Sequence, residues 1–174
     1  MESFRDDLAQ PHRGENKGVI EILRAIPLFQ GFTRRELQEL ESVVHRREFR
    51  AGEPIFHQGD PGIGMYVIYE GSVGMYRSKP GGGEERLAVL RKGEVFGESA
   101  LLDEGPRPAT ARALEPSVIL GLFQPEILEL IERKPRLGNK LLLNFARILG
   151  ERLHRTQAEL EALRQKLAES PIVY

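Results

Sequence analysis

The residues best suited to chemistry lie between Phe96 and Thr110, in the stretch FGESALLDEGPRPAT. Gly97 and Glu98 open a short helical turn there, and Arg107 follows nine residues after the glutamate. Amides at the start of such a turn point toward an anion, and an arginine fork fits two phosphate oxygens. Glu98 would repel a phosphate, but it can accept a hydrogen bond from a neighbouring sugar hydroxyl. The stretch therefore predicts a site for a phosphate and its sugar, and in a 3′,5′-cyclic nucleotide that hydroxyl is the free 2′-OH.

The same stretch carries a family resemblance. FGESALL followed by PRPAT resembles the phosphate-binding cassette of the cyclic-nucleotide-binding domain found in bacterial catabolite activator proteins, cyclic-nucleotide-dependent kinases and gated channels. The segment RAGEPIFHQGDPGIGMYVIYEGSVGMYR resembles the strand and turn signature of that family, and the resemblance covers about residues 19 to 155. The resemblance implies a cyclic-nucleotide ligand, cAMP or cGMP, with cAMP slightly preferred.

By this resemblance Glu98 would bind the ribose hydroxyl and Arg107 the cyclic phosphate. The other implied residues are the cassette positions Gly97, Ser99, Ala100, Pro108, Ala109 and Thr110, the base-pocket positions Val73 and Leu87, and three weak candidates for purine contacts, Arg152, Leu153 and Thr156. Pro108 departs from the family, which usually has Ala, Ser or Thr after the arginine. Because proline has no N–H, one phosphate hydrogen bond is lost, and we expect the affinity to fall by about tenfold to a hundredfold without being abolished.

The elements that must position these residues are short runs of alternating or apolar residues bounded by glycines, from Phe49 to Phe123. Strands are predicted in EPIFHQGD, MYVIYEGSVGMYRS, EERLAVLRKGE and TARALEPSVILGLF, with turns at Gly59-Asp60 and Glu70-Gly71 and an exposed hairpin tip in KPGGGEE. Their regular spacing favours a mainly β fold, an antiparallel double-stranded β-helix or jelly-roll-like β-roll, with N-terminal helices and a long C-terminal helix.

Two short helices are predicted before the strands. The first has apolar residues at helical intervals from Val19 and stops at Pro27. In the second, Thr33 is the expected N-cap and Glu36 stands three residues later, at the capping-box spacing, with the helical repeat continuing through Val44. Residues 1–17 are predicted to form a flexible tail, residues 18–135 the β-roll with its flanking helices, and residues 136–174 a separate helical element.

That last element is predicted as one helix from Arg136 to about Ser170, ended by Pro171. Its apolar residues step by threes and fours, a heptad seam made by Leu142, Phe145, Leu149, Leu153, Thr156, Leu160, Leu163 and Leu167. We predict that this seam forms a coiled coil in a homodimer; packing of the seam on the β-roll is the alternative. Since only four residues follow Ser170, no helix-turn-helix and no direct DNA binding are expected.

Composition excludes several function classes. The chain has 174 residues, no cysteine and a net charge of −1, which leaves no disulfide framework, no thiolate chemistry and no overall basic field for nucleic acid. No window approaches the roughly 18 apolar residues of a membrane span, and the N-terminus lacks the apolar core of a secretory signal. We therefore expect a cytoplasmic protein.

The four histidines show no pair at metal-ligand spacing, and no Ser, His and Asp arrangement is evident, so neither a metal site nor an enzyme is expected. The predicted function is that of a regulatory protein that senses cAMP or cGMP and transmits the signal to a protein partner through its C-terminal helix. Two alternatives stay open, a ligand-independent dimeric scaffold with a degenerate pocket and, less favoured, a cyclic-nucleotide hydrolase.

Overall fold

A computed structural model describes residues 16–102 and 105–169 of the chain. Eight strands form the body: β1 (His45–Phe49), β2 (Pro54–Phe56), β3 (Gly64–Glu70), β4 (Ser72–Ser78), β5 (Glu84–Arg91), β6 (Val95–Phe96), β7 (Thr110–Ala113) and β8 (Ser117–Phe123). The helices are α1 (Asn16–Arg24), a 3-10 turn (Pro27–Phe29), α2 (Arg34–Glu41), α3 (Ser99–Leu102), α4 (Gln124–Arg133) and α5 (Pro135–Glu169). The predicted β-roll with N-terminal helices and a long C-terminal helix is confirmed.

The strands make two four-stranded antiparallel sheets, in the order β1-β8-β3-β6 and β2-β7-β4-β5. Strands β3 and β4 lie in different sheets although only one residue separates them, so the chain must turn sharply between them. Gly71 makes that turn with a φ of +85°, and a Cβ at this position would lie 2.2 Å from the hydroxyl of Ser117. Glycine is therefore required there by both backbone conformation and space.

The inner faces of the two sheets enclose one apolar core, formed by Phe49, Ile55, Phe56, Tyr66, Ile68, Val73, Phe96, Ala111, Ala113 and Ile119. The outer face of the first sheet is covered by helices. Leucines and phenylalanines of the 3-10 turn, α1, α2, α4 and the start of α5 pack there against Met65, Val67, Val95, Leu120 and Leu122. Strand β6 takes part in both cores, because Val95 packs with the helices and Phe96 packs between the sheets.

The N-terminal helices differ from the prediction in two places. The capping box at the start of α2 is confirmed, because Thr33 accepts from the Glu36 amide and Glu36 accepts from the Thr33 amide. The helical repeat through Val44 was wrong, since α2 ends at Glu41 and β1 starts at His45. The pairing of β1 with β8 overrides the helical spacing of these residues. Val44 lies in the turn between α2 and β1, and its side chain still packs on the helical core. The helix α1 begins at Asn16, and residues 1–15 of the predicted tail lie outside the described residues.

Helix α5 is continuous from Pro135 to Glu169, close to its predicted bounds. The apolar residues of its predicted seam differ in burial, however. Phe145 is buried in the helical core and Leu149 packs partly against it, so this part of the seam is covered by its own chain. The remaining leucines, Leu142, Leu153, Leu160, Leu163 and Leu167, are exposed. Residues 170–174, including the predicted helix stop at Pro171, lie outside the described residues. No helix in the described part of the chain is both long and apolar enough to cross a membrane.

Candidate functional site

A cavity of about 330 Å³ opens between the β4–β5 hairpin, residues 96–99 and 107–109, and helix α5. Its apolar wall comes from Phe56, Met75, Leu87, Ala88, Leu90 and Phe96, and its charged lining from Arg77, Glu98, Arg107 and Arg152. Two residues that sequence reasoning assigned to a phosphate and a sugar, Arg107 and Glu98, therefore face the same space.

Gly97 gives the cavity its shape at the cassette. Its φ of +69° lies in the left-handed region, and a Cβ there would lie 2.7 Å from a terminal nitrogen of Arg107. Sequence reasoning expected this glycine to let the backbone approach a ligand, and the structure shows that it first lets the backbone approach Arg107. Any side chain at position 97 would displace the guanidinium.

Arg107 is buried, with only 3% of the residue exposed, and several contacts hold its guanidinium in place. Its two terminal nitrogens donate to the carbonyls of Gly97 and Gly64, each at 2.7 Å, and its guanidinium lies 4.3 Å from the ring centre of Phe56. Burial lowers the pKa of Arg107, and the nearby Tyr66 and acidic groups counteract that effect. Burial likewise raises the pKa of Tyr66, with the Arg107 charge opposing it. The contacts fix the cation beside the cavity.

One nitrogen of this arginine has no acceptor. The Nε of Arg107 is buried and has no hydrogen-bond partner. A buried donor without an acceptor costs on the order of 1–3 kcal/mol, so such groups are rare in folded proteins. Each terminal nitrogen gives one N–H to a backbone carbonyl and keeps a second, so the donors left for phosphate oxygens are Nε and those remaining terminal N–H groups.

Glu98 is paired with a residue from the other side of the cavity. Arg152, on α5, donates to Glu98 Oε1 at 2.6 Å and also to the carbonyl of Val95. Sequence reasoning named Arg152 only as a weak candidate for a purine contact, and it missed this pairing because 54 residues separate the two side chains. The ion pair ties α5 to the cassette.

The comparison with known proteins decides the family. The sequence model of the family "Cyclic nucleotide-binding domain" matches residues 46–134, a segment that contains both Glu98 and Arg107. The chain belongs to the cyclic nucleotide-binding domain family.

Relatives of this domain include regulators of two kinds. The chain is 39% identical over 152 residues to the cyclic AMP receptor protein of Thermus thermophilus. The aligned residues make up 87% of this chain and 68% of that relative. It is 32% identical over 111 residues to a cAMP-dependent protein kinase regulatory subunit of Mycosarcoma maydis, covering 64% of this chain and 21% of the relative. The solved Thermus thermophilus catabolite activator protein matches at 41% identity with a TM-score of 0.66, over 79% of this chain and 63% of that chain. The chain thus spans about two thirds of the bacterial relative and a much smaller part of the kinase subunit.

The rest of the cassette of this cyclic nucleotide-binding domain divides between cavity and core. Ser99, Pro108 and Ala109 line the cavity. Ala100 is buried, and its amide donates to the Gly97 carbonyl at 3.3 Å rather than toward the cavity. Thr110 is also buried, where its hydroxyl accepts from the Gln58 amide at 2.9 Å. Ala100 and Thr110 therefore support the shape of the cassette from behind.

Of the two residues predicted to line a base pocket, Val73 and Leu87, only one lies at the cavity. Leu87 lines the cavity as expected, but Val73 is fully buried in the core between the sheets. Met75, two residues further along β4 on the same face, lines the cavity instead and pairs with Ala88 of β5. The alternation of strand side chains would have identified Met75 once the cavity end of β4 was known.

On α5, Arg152 faces the cavity, whereas Leu153 and Thr156 are exposed and lie outside its lining. Successive helical residues point about 100° apart, so Leu153 does not share the direction of Arg152. In the described ranges, 16–102 and 105–169, no cluster of three or more His, Cys, Asp or Glu could hold a metal ion.

Proposed function

We propose that this domain binds a purine 3′,5′-cyclic nucleotide in the 330 Å³ cavity and regulates a partner protein through helix α5. The observation that carries the proposal is that Arg107, whose buried Nε has no hydrogen-bond partner, lines the same apolar cavity as the Glu98 carboxylate. A phosphate oxygen would accept from that donor and remove the cost of leaving it unpaired.

The charges of the cavity suit an anion with a sugar attached. Three arginines and one glutamate line it, so a singly charged cyclic phosphate meets an excess of positive charge. The Arg152 charge offsets the repulsion between Glu98 and the phosphate. The Glu98 carboxylate keeps acceptor positions beyond the one that Arg152 uses, and the ribose 2′-OH would donate to one of them.

The base would lie on the apolar wall of β4 and β5. Met75, Leu87 and Leu90 give it a hydrophobic surface, and a planar purine buries apolar area there. Between the two purine ligands we favour cAMP slightly, because the names of the Thermus thermophilus and Mycosarcoma maydis relatives both refer to it. Pro108 lines the cavity without an N–H, so the affinity would be weaker than with an amide donor at this position.

The signal would leave the domain through the distal part of α5. Leu153, Leu160 and Leu163 are about half exposed, and Leu167 is 75% exposed. A stripe of exposed leucines at heptad spacing is typical of a coiled-coil seam. We propose a cytoplasmic homodimer joined there, with Glu159 of one protomer positioned to pair with Arg164 of the other in a parallel arrangement.

Calorimetric titration with cAMP and with cGMP tests the proposal. Wild type should bind, and Arg107→Ala should weaken binding by at least about tenfold, because it removes a charge-assisted contact worth roughly 1.5–3 kcal/mol. Arg86→Ala is the matched control, since Arg86 is an exposed arginine of β5 outside the cavity lining. It should leave the affinity unchanged.

Because Arg107 is buried, its replacement could also unfold the domain. Glu98→Gln provides a second test, for it keeps the side-chain volume and should weaken binding while the melting temperature stays near that of wild type. Product analysis during the titration separates binder from hydrolase, since opening of the cyclic phosphate would contradict the proposal.

The scaffold alternative rests on Pro108 and on the two terminal nitrogens of Arg107 already bonded to carbonyls. Absence of heat and of a thermal shift at millimolar cAMP and cGMP would favour it over ligand sensing.

A further inference from the structure

Arg77, near the end of β4, is an arginine of the cavity lining that lies outside the cassette. Side chains alternate between the two faces of a strand, and Met75, two residues earlier on β4, also lines the cavity. The intervening Tyr76 belongs to the other face, where its ring centre lies 4.9 Å from the guanidinium carbon of Arg112. The alternation of β4 therefore directs Arg77 toward the space that a ligand would occupy.

The pairing of β4 with β7 brings Arg77 close to the cassette. The last pair of that ladder joins Tyr76 to Thr110. Continuing the register by one residue places Arg77 alongside Ala109, and neighbouring strands are about 4.8 Å apart. Ala109 and the preceding Pro108 both line the cavity, as Arg77 does. Arg77 and Pro108 therefore meet at the same end of the cavity.

Gln58 fastens the two strands together at this end. Its side-chain oxygen accepts from the Ser78 amide at 2.9 Å, and its own amide donates to the Thr110 hydroxyl, also at 2.9 Å. Ser78 directly follows Arg77, and Thr110 is the second residue after Pro108. These bonds hold the backbone of Arg77 in a fixed position relative to the cassette.

The guanidinium of Arg77 has donors to spare. Glu85 stands opposite Arg77 in the β4–β5 register. In the part of the chain that the structure describes, however, no salt bridge or hydrogen bond engages the Arg77 side chain. Arg107 and Arg152, by contrast, already donate to groups of their own chain. A ligand would reach Arg77 without breaking an existing ion pair.

We propose that Arg77 supplies the phosphate donor that Pro108 lacks. A residue with an amide after Arg107 would donate to the cyclic phosphate, but proline has no N–H. A guanidinium that reaches across from the neighbouring strand offers charge-assisted N–H groups to the same oxygen. Arg77 thereby offsets part of the affinity that Pro108 costs. The proposal rests on the proposed function, because it requires a cyclic phosphate beside Arg107.

Titration of the full-length Arg77→Met protein with cAMP and with cGMP tests this contact. The variant should bind both ligands about three- to tenfold more weakly, a smaller loss than for a buried charge-assisted bond because Arg77 is exposed. The two losses should be equal, since the ligands share the phosphate and differ only in the base. Arg86→Ala is the matched control, because Arg86 pairs with Tyr76 on the other face of the same hairpin, and it should bind like wild type.

A double-mutant cycle with Pro108→Ala tests the compensation itself. Restoring the N–H should tighten cAMP binding, and Arg77→Met in that background should then cost at most about twofold, because the amide serves the oxygen that Arg77 reaches in wild type. Equal losses from Arg77→Met in both backgrounds would overturn the compensation. A loss confined to one of the two nucleotides would assign Arg77 to the base and overturn its phosphate role.

Two further results are distinguishable from each other. An Arg77→Met protein that binds as tightly as wild type would overturn the contact while leaving the proposed function intact. A wild-type protein that binds neither cAMP nor cGMP would overturn the proposed function and this contact with it.

Discussion

The two halves of α5 meet different surroundings although they form one helix. In the proximal half, Leu137, Leu141 and Phe145 are buried against the helices and the first sheet. In the distal half, apolar residues recur at the same helical spacing but are exposed, as Leu163 and Leu167 illustrate. Helical periodicity thus describes both halves equally well. What lies beside each half depends on the rest of the fold, which the periodicity does not show.

Polar contacts divide the helix in the same way. The proximal half is fastened to the N-terminal helices by the buried amide of Asn144 and by an ion pair between Lys140 and Glu36 at 2.8 Å. The distal half is joined to the ligand cavity through Arg152. The first set of contacts stabilises the fold, and the second lies where a ligand would act. The difference teaches that one helix can both stabilise the fold and, in the proposed function, carry a signal away from the cavity.

The largest expected effect comes from removing the largest buried side chain of the proximal half. Phe145→Ala should lower the free energy of unfolding by about 3–5 kcal/mol, because it leaves a cavity in the helical core. Leu163→Ala, in the exposed distal half, should change it by no more than about 0.5 kcal/mol in dilute protein. Urea unfolding at low protein concentration measures both. Equal losses would show that the distal half is packed as tightly as the proximal one.

A smaller effect is expected at the glycine that packing requires. Gly138→Ala should destabilise the protein by about 1–3 kcal/mol, because its Cβ would overlap the Ile131 side chain and the Ile131 Cα, the latter at 2.8 Å. Thermal unfolding compared with Gly150→Ala provides the contrast, since a Cβ at Gly150 would meet no atom within 4 Å and the second change should be neutral or stabilising. A Gly138→Ala protein as stable as wild type would mean that α4 and α5 can separate without cost.

The smallest effect is the pH dependence of the proximal ion pair. The hydrogen bond from Lys140, and then that from the Thr33 amide, hold the pKa of the Glu36 carboxyl below its ordinary value. A lowered pKa in the folded state adds stability above the ordinary glutamate range, roughly pH 4 to 4.5, and this stability is lost as the pH falls through the lowered pKa.

Lys140→Met removes the first of those bonds. Unfolding measured between pH 7 and pH 3 should show a difference from wild type of about 0.2–1 kcal/mol at neutral pH that shrinks on acidification. A difference that grows as the pH falls would contradict the assignment to Glu36.

The strands and the cassette were predictable because their signals are local. Gly71 indicates a turn because glycine adopts a positive φ without strain. The capping box of Thr33 and Glu36 is recognised from two residues three positions apart. The Glu98–Arg152 pair was not predictable from either residue, since their contact depends on how α5 returns across the roll. That Met75 and not Val73 lines the cavity was not predictable either, because strand alternation does not show which end of β4 the cavity occupies. The burial of Phe145 in the helical core of its own chain was not predictable either, because a heptad repeat does not show which surface covers it.

Determining the structure of the protein with cAMP bound tests the central claim most directly. We predict a phosphate oxygen within hydrogen-bond distance of Arg107 Nε, roughly 2.7–3.2 Å, and the ribose 2′-OH on Glu98, with the Glu98–Arg152 pair retained. A nucleotide bound elsewhere, or bound in the cavity with the Arg107 Nε still unpartnered, would contradict the account.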